Sequence, residues 1–208
     1  MFSPRRRKKS SSRGLVGETY ETLLEELSDR RFRLTYYHGI LEIIAPSPEH
    51  ELYKTVFGRF VETLAEEFEV EIHPLGSTTF KRPSSSGDEP DECFYTNPKN
   101  IALIRGKKRI DLERDPAPDL VLEIDITSGS KLRLDVYAEL GVREVWVDDG
   151  TRSRLFQLGE GGYCQTTESA IFPNIPILEV RTFLERVADT DYLTLVRKFR
   201  EWVAVARS

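Results

Sequence analysis

The fold class that this 208-residue chain predicts is a single α/β (α+β) domain. Three observations point there: a long amphipathic helix at residues 48–68, acid-bearing strand-like segments at about 91–95 and 119–126, and a short helix plus strand directly after the second segment. With 39% hydrophobic residues, the chain has enough apolar side chain for one sizeable core.

The first element in order is a tail. "MFSPRRRKKSSSR" holds six basic residues and no acid, and its lack of apolar area predicts a disordered basic segment over residues 1–14. The domain proper, residues 15–208, keeps 24 Lys and Arg against 35 Asp and Glu, a net charge of about −11 beside −5 for the whole chain. Two roles suit the tail: an electrostatic arm for nucleic acid, or a solubilising extension.

Tyr20, Leu23, Leu24 and Leu27 recur at helical spacing and predict a helix over 18–27 that stops near Ser28-Asp29. "RFRLTYYHGILEII" alternates on both sides of His38-Gly39, the pattern of a β-hairpin. Ser47 then caps, and Pro48 opens, the helix through Phe68, in which Leu52, Val56, Phe60 and Leu64 repeat every four residues. Strands are expected at 69–73, 77–82 and 91–95, with the polar "RPSSSGDEP" as a loop. After the strand in "APDLVLEIDITS" come a helix at 130–140 closed by Gly141, the strand "VREVWVDD", and a hairpin of "RLFQL" and "GYCQTT" over "GEGG". The proline-punctuated "FPNIPILEV" leads to a C-terminal amphipathic helix with Leu193, Val196, Phe199 and Val203 on one stripe.

Composition removes several function classes. No apolar run approaches the ~20 residues that span a bilayer, and no signal-peptide core follows the basic N-terminus, so a soluble cytoplasmic protein without a membrane partner is expected. Cys93 and Cys164 form no CxxC or Cys/His cluster, which argues against a zinc site or a disulfide framework. His38, His50 and His73 are scattered, so a bound metal would rely on oxygen ligands.

The acids of "APDLVLEIDITS" raise the main question. Along a strand, Leu120, Leu122, Ile124 and Ile126 face one way and Asp119, Val121, Glu123 and Asp125 the other. An uncompensated buried carboxylate is costly, so this ladder faces water, meets cations or holds a metal ion. A second acidic stretch, "GDEPDECFYTN", repeats the same start, with Pro90-Asp91 matching Pro118-Asp119. Asp91 from one strand with Glu123 and Asp125 from the next would supply the oxygen ligands a hard divalent cation requires. A Pro-Asp pair also serves as a turn cap, the role expected of Asp119.

"YYHGILEIIAPSPEHE", "LGSTTF", "EPDECFY", "LEIDITS", "YAELGVREVWVDDG" and the late "FL" and "FREWV" resemble the Uma-two type of restriction endonuclease, within the PD-(D/E)XK nuclease superfamily, from about residue 18 to 203. The resemblance implies an αβββαβ restriction-endonuclease-like core, here with an added N-terminal helix and β-hairpin and a C-terminal helix. It also implies that Asp91 and Glu123 hold Mg²⁺ or Mn²⁺ and that a lysine two residues after the Glu assists attack of water on a phosphodiester. Glu123-Ile124-Asp125 departs from that pattern, with an aspartate in the lysine's place. Asp125 would then act as a further metal ligand or as base for the water. The missing cation would come from Arg133, four residues before Tyr137 at the family's usual basic position, or from Lys131, with Lys81 a third candidate. Glu42 in "LEI" and His50 in "SPEHE" also fall in family motifs and could face the acids.

Two functions follow. One is a Mg²⁺-dependent endonuclease acting on DNA, with Asp91, Glu123 and Asp125 as metal ligands and Arg133 or Lys131 stabilising the transition state. The other is a catalytically silent binding or assembly module that kept the fold. The acidic body counts against broad duplex binding, an objection that homodimerisation or metal loading would soften.

Overall fold

The computed structural model describes residues 9–27, 32–82, 85–125 and 131–207. The tail up to residue 8, the helix stop at Ser28-Asp29 and the strand end at Ile126 lie outside the described residues. Along the chain the first half runs β1 (Lys9–Arg13), α1 (Gly17–Glu26), β2 (Arg33–Tyr37), β3 (Ile40–Ile44), α2 (Pro48–Phe68), β4 (His73–Pro74), β5 (Phe80–Arg82), β6 (Ser86–Asp88) and β7 (Glu92–Tyr95). The second half runs α3 (Pro98–Ile104), β8 (Leu120–Ile124), α4 (Lys131–Leu140), β9 (Glu144–Asp148), β10 (Ser153–Gly159), β11 (Gly162–Thr166), α5 (Ile177–Leu184) and α6 (Tyr192–Ala206).

These elements build an α+β fold on two sheets. One is ordered β1-β3-β2-β6-β5 and is antiparallel throughout; the other is ordered β11-β10-β9-β8-β7-β4. In the second sheet, among the described residues, only β8 and β9 pair in parallel, because α4 crosses between them. Alternation along β8 divides the core. Leu120, Leu122 and Ile124 pack with Phe57, Phe60 and Leu64 of α2 and Phe199 of α6, while Val121 joins Val136, Tyr137 and Leu140 of α4. Helix α4 also packs against β2 and β6, so it lies between the two sheets.

Local chemistry explains the elements that hold the site. His38 and Gly39 both take positive φ, +42° and +88°, the turn that joins β2 and β3 with strand-compatible twist. Ser47 Oγ accepts the His50 amide at 3.2 Å and Pro48 opens α2, as the cap signature requires.

Three stretches differ from expectation. Residues 9–13, assigned to a disordered tail for want of apolar side chains, pair with β3 as a strand, Ser11 opposite Glu42. Backbone hydrogen bonds to an open sheet edge need no buried side chain. The polar "SGD" is strand β6 rather than loop, inserted between β2 and β5. Gly87 there is covered by Tyr20: an added Cβ would lie 2.5 Å from the Tyr20 hydroxyl oxygen. Helix α5 begins within the proline-punctuated "FPNIPILEV", with Pro176 at its N-cap.

Candidate active site

Asp91 stands immediately before β7. The register that pairs Glu92 with Leu122 sets it beside Glu123 one step on, and Asp91 Oδ2 accepts the Ile124 amide at 2.6 Å. Two side chains from other elements close on it. The Arg33 guanidinium, from β2, pairs with Oδ1, and His50 Nε2 lies 3.0 and 3.1 Å from the two oxygens. Asp91 and His50 are fully buried, and Arg33 nearly so.

Glu123 points from β8 toward α4, where Arg133 and Tyr137 sit one helical turn apart. Arg133 Nη1 donates to Oε2 and the Tyr137 hydroxyl to Oε1. That hydroxyl is also bonded to Asp88 Oδ2, and Asp88 Oδ1 accepts from Thr35 Oγ1 at 2.6 Å. A phenol has one proton to donate, so of the two carboxyl groups on it one must carry a proton and donate back. Of the two, Asp88 is the one that burial biases toward its neutral form. Burial raises its pKa by more than Arg133 lowers it, and the charge of Glu123 adds to the rise. The phenol is held protonated by the same burial and by the charge of Glu123.

Arg133 is locked in its charged form. Burial alone would lower its pKa, but Glu123 and, to a lesser degree, Asp125 raise it. Its Nη2 is buried without a hydrogen-bond partner among the described residues. A third pair flanks the same strand ends on the other face: Asp148, opposite Ile124 in the parallel register, faces Arg181 Nε of α5 at 3.3 Å and accepts Ser153 Oγ at 2.6 Å. Carboxylates at the ends of β7, β8 and β9 thus each face a guanidinium from a different element.

Of the residues singled out from the sequence, Asp91, Glu123 and Arg133 come together here, and His50 joins them. Asp125 comes directly after β8, 7% exposed, its amide donating to the Asp148 carbonyl at 2.7 Å. Lys131 is exposed on the first turn of α4, and Lys81 pairs with Glu21 at 3.4 Å. Glu42 lies opposite Thr35, the partner of Asp88. Asp119 caps the entrance to α3, accepting the Thr96 and Asn97 amides at 2.8 and 2.9 Å.

The Uma2 family model, described as "Putative restriction endonuclease", matches residues 18–187. This chain belongs to the Uma2 family. No curated protein matches it. Among solved structures it is similar to a protein from Anabaena variabilis ATCC 29413 whose title reads "putative nuclease", at 12% identity, with 82% of this chain and 90% of that chain covered and a TM-score of 0.47.

In this Uma2 chain the fit of a divalent ion can be judged from its donors. Asp91, Glu123 and Asp125 offer hard oxygens of the kind Mg²⁺ and Mn²⁺ take. As arranged, however, the cations on Asp91 and Glu123 are Arg33 and Arg133, and among the described residues no group of three or more His, Cys, Asp or Glu side chains is set to hold a metal ion. The residues in this arrangement do not fit the ion.

Sequence reasoning missed Asp88, Arg33 and the bonding role of Tyr137. The hairpin did carry a signal: Arg33 and Thr35 alternate with Leu34 and Tyr36, so two polar groups share one strand face, and all four are buried.

Proposed function

We propose that this chain is an endonuclease that hydrolyses DNA phosphodiester bonds at Asp91, Glu123 and Asp125, with Arg133 as the cation that receives the phosphate. The observation that carries this reading is Arg133: a buried guanidinium, held charged by Glu123, with one nitrogen unpartnered among the described residues. A planar cation with an N–H to spare suits a phosphate oxygen. As water attacks phosphorus, charge builds on the non-bridging oxygens, and a fixed donor there stabilises the transition state more than the bound substrate. Asp125, buried one residue past the end of the same strand, would accept the proton of the attacking water. Lys131, exposed at the start of α4, would meet the DNA backbone. Because the chain beyond its basic N-terminus is acidic, binding would draw on that terminus or on a second copy of the chain.

Magnesium or manganese dependence, which the family resemblance implies, requires an exchange: the ion would have to displace a guanidinium from Asp91 or Glu123. Melting in each ion reads that exchange without reference to activity, since a ligand that binds the native state raises its stability. A second reading, a silent nuclease-fold module for binding or assembly, is favoured by the neutralisation of both carboxylates within the protein. Nicking of supercoiled plasmid in chelator, Mg²⁺ and Mn²⁺ decides between them. Hydrolysis predicts nicking by wild type that Asp125→Asn lowers by about 10²-fold or more, the scale of a lost general base. The silent module predicts none in any buffer.

A further inference from the structure

Beside the carboxylates lies a cavity of about 710 Å³, in the size range of small-molecule sites, between the hairpin sheet and the start of α2. Three of its lining residues lead straight to Asp91. Arg33 forms part of the wall and pairs with Asp91; Ser47 caps the turn that carries His50; Glu89 stands two residues before Asp91. Glu51 and Ser77 add two more polar groups, and the remaining wall is apolar. Leu24 comes from α1 and Leu27 caps its end, Phe32 precedes β2 and Pro46 lies in the turn into α2, and Phe32 is 37% exposed.

We propose that this cavity receives an unpaired nucleobase of the DNA strand being cut, stacked against Phe32, so that single-stranded or locally unpaired DNA is the preferred substrate. The proposal rests on the hydrolytic reading of the neighbouring carboxylates. Three arguments select this occupant. A group that enters here while its phosphate lies beside the Arg33–Asp91 pair must be tethered to that phosphate, flat enough for the slot between Phe32 and the leucines, and polar at its edge, as a base is. The acidic body gives little purchase on a duplex backbone, whereas base stacking on an aromatic ring needs no positive surface. Finally, a base that is paired and stacked cannot reach a walled pocket, so it must be unpaired or extruded. Glu89 supports this reading of the edge. It lines the pocket and its carboxylate accepts the Thr79 hydroxyl at 2.7 Å, which fixes a polar group at the edge of the slot.

The test combines binding and turnover. A single-stranded oligonucleotide carrying 2-aminopurine is titrated in chelator with wild type, Phe32→Ala and Phe32→Trp, following the fluorescence quench of a base stacked on an aromatic ring. KM and kcat are then measured on one sequence as single strand, perfect duplex and duplex with one mismatch. The proposal expects wild type to bind the single strand with quenching and to favour single-stranded and mismatched substrates. Phe32→Ala should weaken single-strand binding and raise KM about tenfold, within the range of one lost base stack, while Phe32→Trp retains both. It is overturned if wild type does not bind the single strand, if Phe32→Ala binds as wild type does, or if Phe32→Ala loses equally on single strand and perfect duplex. Quenching without cleavage of any DNA would remove the hydrolytic reading and leave the pocket; cleavage indifferent to Phe32 would do the opposite.

Discussion

Replacing Glu123 by glutamine keeps the shape of the side chain and removes its charge, which makes it a sharp probe of what the buried acid does. In the structure Glu123 is the counterion of Arg133 and an acceptor for Tyr137, all three buried. Removing one partner of a buried pair costs about 3 to 5 kcal/mol, because the remaining charge stays out of water. Asp88 tempers the loss: once the repulsion from Glu123 is gone, it can release its proton and become the counterion of Arg133. The expected cost is therefore the low end, about 3 kcal/mol. For a chain of this size that lowers Tm by about 6–12 °C. The assay is a pair of thermal melts, in chelator and in Mg²⁺, on wild type and Glu123→Gln. If the acids were instead a cluster of mutually repelling metal ligands, the amide would relieve repulsion and raise Tm in chelator. A rise there, or a wild-type Tm that climbs in Mg²⁺, would refute the ion-pair reasoning.

Two further expectations concern the same region. Asp88→Asn should be neutral or stabilising above pH 7, because the amide imitates the protonated carboxyl. The folded-state pKa of Asp88 is raised, so its contribution is present below the unfolded value near 3.8 and fades as pH rises through the folded value. Tm against pH should thus fall less steeply on the rising side for Asp88→Asn than for wild type, and parallel curves would contradict the assignment of the proton. Gly87→Ala should cost about 1 to 3 kcal/mol by overpacking, since its Cβ would meet the Tyr20 ring and hydroxyl at 2.5–2.9 Å. Denaturant melts should show that cost shrinking when Tyr20→Ala is added, and equal losses with and without Tyr20 would remove the explanation.

What the sequence made legible was whatever has a period or a cap. Helix α2 announced itself through Ser47-Pro48 and a four-residue apolar repeat, the hairpin through alternation around His38-Gly39, and α4 through its closing Gly141. The position of Asp91 beside Glu123 followed from the matched Pro-Asp starts, and Arg133 from the family's helix position. Strand β6 stayed hidden because Ser86, Gly87 and Asp88 have turn propensities, and only tertiary partners, Thr35 and Tyr137, make the acid affordable inside. Arg33 stayed hidden for a related reason. A lone arginine on a hairpin reads as a solvated side chain until the fold brings a buried carboxylate to it. Polar residues carry no periodic mark of burial, so a network spread over β2, β6, β7, β8 and α4 becomes visible only when those elements are assembled.

The central claim is that this cluster hydrolyses DNA with Arg133 on the phosphate, and cleavage by Arg133→Lys tests it most directly. Lysine keeps a positive charge opposite Glu123 but gives up the planar fork and its spare N–H. Labelled single-stranded and duplex DNA are incubated with wild type and Arg133→Lys, with the melting temperature of each protein measured in the same buffer. The account predicts cleavage by wild type and a rate about 10²- to 10³-fold lower for Arg133→Lys, the scale of one lost transition-state donor, from a protein that remains folded at the assay temperature. Equal rates for the two proteins, or no cleavage by wild type in chelator, Mg²⁺ or Mn²⁺, would contradict it.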